Sequence, residues 1–439
     1  MPGNPGGDDC AAEYAGMTSE SIGAAREVTV SGTTLDDYTD RYAARIHGMA
    51  QSEIRALFAV ASRPEVVSLA GGNPDTTALP MAELGDMFAQ LLRDNGPAAM
   101  LYCPGQGDTR LREEICRVMA STGIAAASPD DVVVTVGAQQ GLSLLATVFL
   151  DPGDIVLAEG PTYVGALGVF QAAQARVRHV TMDAEGLIPE ALEAAIAESD
   201  TPPKFLYTVP TYQNPTGVTL TDRRRAAVLD ICDRHGLLIV EDDPYGMLAF
   251  DGEPPAPLRA RTDDGVFYLG TFSKTFAAGL RVGWVLAPPA VRDKLVLASE
   301  SQILCPSAFT QAAVTRYLST MPWRQQVKVF RTLYQERRDT MLACLAESMP
   351  AGMTWTRPGG GLFVWADLPH GIDSKAMLPQ ALAERVAYVP GTGFHADGGG
   401  TGQMRLNFSF PTSERIREGV RRLAGVIDAA TRLRDTFTA

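Results

Sequence analysis

The chain has 439 residues, 46% of them hydrophobic, which is ample to bury one large α/β domain with a smaller companion. A formal net charge of −13 argues against nucleic acid as a partner, because a surface that holds a phosphate backbone needs clustered Lys and Arg. No apolar run approaches the roughly 20 residues that cross a bilayer, and the first 35 residues lack a basic stretch followed by an apolar one, so neither a membrane partner nor a secretory signal is expected.

Residues 1–35 are rich in Gly, Ala, Ser and acidic residues without sustained periodicity and read as a mobile arm. From about 130 to 290, short apolar runs alternate with helical patterns. Val132 to Val136 reads as a strand and Gly141 to Leu150 as a helix; Ile155 to Ala158 reads as a strand and Val164 to Ala175 as a helix. Phe205 to Val209 precedes a Pro/Asn/Gly turn and a helix over Asp222 to His235, and the runs Leu237 to Val240 and Val266 to Leu269 complete the series. Short apolar strands separated by amphipathic helices predict a largely parallel sheet covered on both faces. After about 300 the pattern changes to a long helix, Arg324 to Met349, and short strands over Leu362 to Ala366 and Met404 to Phe408. The expected division is an arm at 1–35, a segment 36–85 that joins the C-terminal part, a large domain at 86–315 and a smaller α+β domain at 316–439.

In such sheets ligands bind beyond the carboxyl ends of the strands, so the loops after the apolar runs matter most. Gly137-Ala138-Gln139-Gln140-Gly141 offers backbone N–H groups at a helix start, which suits an anion but also an ordinary turn. Tyr163 stands in the next such turn, placed to stack on a flat ring or to fill core. Pro210 to Gly217 is a turn segment that sets an amide, Asn214, just past a strand end. Leu237 to Val240 runs into Glu241-Asp242-Asp243, and three adjacent carboxylates ask for a cationic partner or a metal. Histidine is sparse, and the six cysteines (Cys10, Cys103, Cys116, Cys232, Cys305, Cys344) show no metal-like spacing, so no metal is expected and reduced cytoplasmic thiols are the simpler reading. Thr271-Phe272-Ser273-Lys274 ends the last apolar run, with Arg281 downstream. A lysine there can bind phosphate or, with its pKa depressed, act as a nucleophilic amine.

Asn214-Pro215-Thr216-Gly217, Asp242-x-x-Tyr245, Ser273-Lys274 with Arg281, and Arg405 occur in an order and spacing that resemble the class I/II aminotransferases of the fold-type I pyridoxal 5′-phosphate enzymes. The resemblance covers roughly residues 45–430. Ser68 to Gly72, Tyr102 with Pro104-Gly105, Gly137 to Gln140 and Glu241 to Tyr245 look most like the α-aminoadipate/kynurenine aminotransferase branch. It implies a mostly parallel seven-stranded sheet flanked by helices, a smaller α+β domain, and a homodimer that shares its sites across the subunit boundary. It further implies that Lys274 carries the cofactor as a Schiff base and shuttles the substrate's proton. Asp242 would pair with the pyridine N–H, Tyr245 and Asn214 would bond the ring's phenolic oxygen, and Tyr163 would stack on the ring. The phosphate would rest on the backbone of Ala138 and Gln139, on Thr271, Ser273 and Arg281, and on Tyr102 from the second subunit. Arg405 would clamp the substrate α-carboxylate, with Gly72 backbone nearby. Two positions depart from relatives: Ala138 stands where Ser is frequent, and Thr271 replaces a common Ser.

Arg55 resembles the position at which aminoadipate-type relatives bring an arginine to the distal end of the substrate, or is a solvated helix charge. Phe363 lines the pocket or fills core, and Gly398-Gly399-Gly400 reads as a turn rather than a phosphate cradle. The reaction implied is transfer of the α-amino group of an L-amino acid to a 2-oxoacid; the alternative on the same fold and cofactor is elimination, replacement, cyclisation or oxidation at Cβ or Cγ. A transcription regulator would need a basic DNA-binding segment ahead of residue 45, and the arm is neither long nor basic enough to provide one.

Overall fold

The computed structural model describes residues 38–47, 49 and 63–438; the arm at 1–35 and Arg55 lie outside the described residues. Residues 38–47 hold a 3₁₀ turn, Thr39–Arg41, and one helical turn, Ala44–His47.

Downstream of a two-residue strand, β1 (Val67–Ser68), the principal sheet is built from β2 (Val132–Thr135), β3 (Ile155–Gly160), β4 (Arg176–Asp183), β5 (Gly186–Leu187), β6 (Phe205–Thr208), β7 (Leu238–Asp242), β8 (Val266–Thr271) and β9 (Gly283–Leu286). Their order is β2-β9-β8-β7-β6-β3-β4-β5. The strands β4, β3, β6, β7 and β8 run parallel, while β9 is antiparallel to both of its neighbours. Seven strands match the expected count. The eighth, β5, is a two-residue strand that turns back on β4 at Gly186, whose φ of 95° and closeness to the Leu220 backbone leave no room for a side chain. The apolar runs form the strands because β2, β6 and β8 are buried on both faces under helices. No continuous apolar run marks β4, whose Arg176-Val177-Arg178-His179 alternation belongs to a half-exposed strand near the sheet edge.

The helix after β2 spans Gly137–Phe149, four residues earlier than predicted. The Gln140 side chain accepts the Val136 N–H at 2.7 Å and closes the corner without a loop. The helix Asp222–His235 has the predicted ends, and Trp323–Ser348 is displaced by one residue from the expectation. The smaller sheet is antiparallel, with β10 (Thr354–Trp355), β11 (Phe363–Asp367), β13 (Val389–Pro390) and β14 (Gln403–Asn407) in the order β10-β11-β14-β13. Between them in sequence, β12 (Val386–Ala387) pairs in parallel with β1. One continuous apolar core joins Val132–Val134 of the large sheet to Phe363, Met404 and Leu406 of the small one. Among the described residues no helix is long and apolar enough to cross a membrane. The four parallel strands β3, β6, β7 and β8 deliver Gly160, Thr208, Asp242 and Thr271 to one rim, and β11 and β14 close over it from the other side.

Candidate active site

At that rim lies a cavity of about 280 Å³ lined by Gly72, Asn73, Ala138, Gln139, Leu142, Tyr163, Val209, Asn214, Asp242, Pro244, Tyr245, Thr271, Ser273, Lys274, Ala278, Arg281, Phe363 and Arg405. The described sequence-selected residues therefore converge on one place, Tyr102 excepted.

Asp242 ends β7. Its Oδ2 accepts the Tyr207 hydroxyl at 2.8 Å, while its Oδ1 is buried without any hydrogen-bond partner. Burial pushes this carboxyl up to about 7, with Asp243 adding to the rise and Tyr207 and Lys274 opposing it. The three carboxylates do not share one cation, as the sequence suggested. Glu241 accepts the backbone N–H groups of Leu258 and Arg259 at 2.7 and 2.9 Å, with Arg225 at 3.9 Å. Asp243 accepts the Gly246 N–H at 2.9 Å and the Tyr268 hydroxyl at 3.1 Å. Consecutive residues of a strand face opposite ways, so the two outer carboxylates find protein donors and Asp242 alone faces the cavity with a free oxygen.

Lys274 Nζ donates to the Gly72 carbonyl at 2.8 Å. Burial, together with the guanidinium groups of Arg405 and Arg281, lowers its pKa to about 8, so an appreciable share of the amine is neutral near neutrality. Gly72 thus enters the site through its carbonyl as well as by lining it.

The anion cradle is assembled from three elements. The helix Gly137–Phe149 points its unpaired first-turn N–H groups into the cavity at Ala138 and Gln139. Thr271 Oγ1 and Ser273 Oγ stand 2.9 Å apart, and Arg281 Nη1 donates to Ser273 Oγ at 3.2 Å while its Nη2 donates to the Val136 carbonyl at 3.2 Å. Arg281 holds a φ of 53°, a left-handed conformation uncommon for a side chain of this size. A Cβ at Gly137 would run into the Arg281 guanidinium, and a Cβ at Gly283 would lie 2.6 Å from the Ala138 nitrogen. Glycine at both positions lets the helix start, the arginine and β9 meet.

On the opposite wall Arg405, from β14, is fully buried between the rings of Phe363 at 4.1 Å and Phe394 at 5.1 Å. Its Nη1 donates to Asn214 Oδ1 at 2.9 Å and its Nη2 to the Ala70 carbonyl at 2.8 Å, but its Nε has no acceptor. Burial lowers its pKa to about 10, which leaves it a cation at neutral pH. Asn214 Nδ2 stands 3.5 Å from the Tyr245 hydroxyl, whose own pKa burial raises. Phe363 answers to both sequence readings, being at once 1% exposed core and cavity wall.

Tyr102 is not brought into the cavity of its own chain: it is 84% exposed, beside exposed Met100 and Leu101. Sequence reasoning missed Tyr207, Phe394 and the Ala70 carbonyl. A tyrosine inside the apolar run 205–209 is a signal for the first, since a buried hydroxyl needs a partner. Nothing in the local sequence marks Phe394.

The chain matches the family model "Aminotransferase class I and II" over residues 64–423. It is 40% identical to aromatic-amino-acid aminotransferase 1 of Thermococcus litoralis over 395 residues, which cover 89% of this chain and 95% of the relative. It is 37% identical to the 2-aminoadipate transaminase of Thermus thermophilus over 377 residues, 85% and 92% of the two chains. Among solved structures it resembles the Pyrococcus horikoshii kynurenine aminotransferase, crystallised with PMP, at a TM-score of 0.86 and 38% identity, covering 90% of this chain and 99% of the other. The chain belongs to the class I and II aminotransferases.

Proposed function

We propose that the protein is a pyridoxal 5′-phosphate-dependent aminotransferase that moves the α-amino group of an L-amino acid to a 2-oxoacid, with Lys274 as its reactive amine. The observation that carries this reading is the orphaned, buried Asp242 Oδ1 in the same cavity as a Lys274 amine shifted toward neutrality. A carboxylate so placed costs free energy until a cation meets it, and the protonated pyridine of the cofactor is a cation of the right kind. The helix start, Thr271, Ser273 and Arg281 suit its phosphate, and Thr271 keeps a hydroxyl in the cradle where Ala138 offers none.

When bound, the cofactor supplies an electrophilic carbon for amine exchange and a cationic ring that draws electron density from the substrate Cα. Asp242 would hold the proton on the ring nitrogen. Asn214 and Tyr245 would bond the ring's phenolic oxygen, and Tyr163 would stack on the ring. Arg405, whose side chain lines the cavity, would take the substrate carboxylate and so orient the Cα–H bond. Lys274 Nζ, whose lowered pKa leaves a share of the amine neutral near neutrality, would be the group that moves the proton of the substrate Cα. Phe363 and Phe394 exclude water from the ion pair.

The relatives named for aromatic, 2-aminoadipate and kynurenine substrates support a donor with a bulky or acidic side chain, with Arg55 assigned to an acidic distal end. The exposed Met100-Leu101-Tyr102 run supports a homodimer in which Tyr102 reaches the partner's phosphate site. The five described cysteines are unpaired, which supports residence in the cytoplasm.

Single-turnover absorbance of the cofactor-loaded protein tests the reaction. Mixing with an L-amino acid donor converts the bound aldehyde form of the cofactor to its amine form, and 2-oxoglutarate restores it. Return of the aldehyde form without any acceptor, with a modified amino acid released, would overturn transamination. Borohydride reduction should fix the cofactor on the Lys274 peptide, and a covalent adduct that persists in Lys274→Ala would overturn the assignment of the amine.

A further inference from the structure

Away from the cofactor cavity, three lone-pair donors that are far apart in sequence meet at one corner. His179 lies on β4, and His395 and Asp397 follow the 3₁₀ turn Gly391–Phe394. One ligating atom from each lies within 4.8 Å of the other two.

Hydrogen bonds orient both imidazoles. His179 Nδ1 is 2.9 Å from the Glu159 carbonyl and therefore carries the proton; its Nε2 keeps a lone pair, which accepts the Ala396 N–H at 2.8 Å. Gln403 Nε2 donates to Asp367 Oδ1 at 2.8 Å, which turns Gln403 Oε1 toward His395 Nε2 at 3.3 Å. The proton of the neutral ring then sits on His395 Nε2, and its Nδ1 lone pair faces Asp397 Oδ1 across 3.9 Å. Asp397 Oδ1 also accepts the Gly399 N–H at 3.0 Å, and its remaining lone pairs together with that of His395 Nδ1 could be joined by one cation. A ring nitrogen that donates to a carbonyl while the other is left with a lone pair is the arrangement found around metal-bound histidines. The glycine run at 398–400, which the sequence analysis reads as a turn, borders this cluster. A Cβ at Gly399 would stand 3.2 Å from His395 Nδ1 and 3.0 Å from Asp397 Oδ1, so the missing side chain keeps that flank open.

The geometry points to a site for a divalent transition-metal cation of the zinc class, held by His179 Nε2, His395 Nδ1 and Asp397 Oδ1 with water completing the shell. Tetrahedral bonds of about 2.0 Å place ligand atoms roughly 3.3 Å apart, so the cluster contracts on binding, and the Ala396 N–H leaves His179. The glycine-rich loop permits that movement, and exposed Asp397 marks the route of entry. Imidazole with carboxylate favours Zn²⁺, Co²⁺, Ni²⁺ or Cu²⁺ over Mg²⁺ or Ca²⁺. Such an ion stitches β4 to a loop whose Phe394 carbonyl accepts the Thr162 N–H at 2.9 Å and whose Phe394 ring covers Arg405. Thr162 adjoins Tyr163. The ion therefore braces the cofactor wall against the substrate wall from outside and supports stability rather than chemistry.

Tag-free, cofactor-loaded protein stripped by a chelator is titrated with ZnCl₂ by calorimetry and thermal melting, and with CoCl₂ by visible absorbance. The expected result is one ion per chain, a raised Tm, and a Co²⁺ spectrum of nitrogen and oxygen ligands without thiolate charge transfer. His395→Gln and Asp397→Asn should each weaken Zn²⁺ binding by on the order of tenfold or more and cancel the Tm rise, with metal-free turnover near wild type. Asp397 is at the surface, so its variant keeps the test decisive if His395→Gln folds poorly. Absent stoichiometric binding, equal binding by both variants, or a thiolate band from the cysteines would each overturn the site.

Discussion

At Asp242 the requirements of stability and function oppose each other. Its pKa in the fold, near 7, stands above the ordinary 3.8, so between these values the cofactor-free fold keeps a proton that the unfolded chain has released. Its contribution to stability is therefore present below about 4 and is lost as pH rises to about 7. Asp242→Asn removes that slope. At pH 8 the cofactor-free variant should unfold at a higher temperature than wild type, and at pH 4 the difference should vanish. The same variant should hold the cofactor more weakly and turn over slower by on the order of 10² or more, the scale of a lost proton-holding group in catalysis. Melting curves of stripped protein at the two pH values, set beside steady-state rates, check both halves. Arg405 offers a second residue-scale outcome. Arg405→Lys keeps a cation but loses the planar fork that holds Asn214, Ala70 and a carboxylate together. Two charge-assisted bonds of about 1.5–3 kcal/mol are at stake, so kcat/KM for any α-amino acid should fall on the order of 10²-fold or more, while the cofactor's absorbance in the resting enzyme stays near wild type.

Among elements, the junction of the helix Gly137–Phe149 with β9 decides whether phosphate can be held. A methyl at Gly283 would stand 2.6 Å from the Ala138 nitrogen, and that neighbour is backbone, which cannot swing away. Gly283→Ala should tilt the helix start off the anion and weaken cofactor affinity by on the order of tenfold, read by fluorescence titration of stripped protein, with far-UV circular dichroism unchanged. The fold was legible wherever burial on both faces makes a strand continuously apolar, as in Val132 to Thr135 and Val266 to Leu269, and wherever caps mark a helix, as with Gly236 in the left-handed conformation after His235. It was illegible at β4, whose polar face is an edge property that only the assembled sheet confers. The site was legible where a motif sits at a strand's carboxyl end, as Asp242 and Lys274 do. Phe394 and the His179–His395–Asp397 corner were not, because their neighbours are set by how the loop after β13 folds back on β3 and β4.

For the molecule as a whole, the position of Tyr102 carries a consequence for assembly. It is 84% exposed and lies outside the cavity that gathers Lys274, Asp242 and Arg281. If its hydroxyl serves a phosphate, the phosphate belongs to another copy of the chain. The neighbouring Met100 and Leu101 are 65% and 68% exposed, a cluster of apolar side chains that a second copy would cover. The proposed sharing of sites between two copies makes a specific prediction about mixtures. Lys274→Ala homodimers carry no reactive amine, and Tyr102→Ala homodimers hold cofactor weakly in both sites. A heterodimer of the two places both defects in one site and leaves the other with a native Lys274 from one subunit and a native Tyr102 from its partner. Unfolding and refolding the variants together at limiting cofactor should therefore restore up to about a quarter of wild-type activity, since random pairing makes half of the dimers mixed and each mixed dimer has one intact site. Sedimentation of the same samples reports the mass of the assembly. Activity of the mixture equal to the average of the two separate preparations would show that each chain builds its site alone.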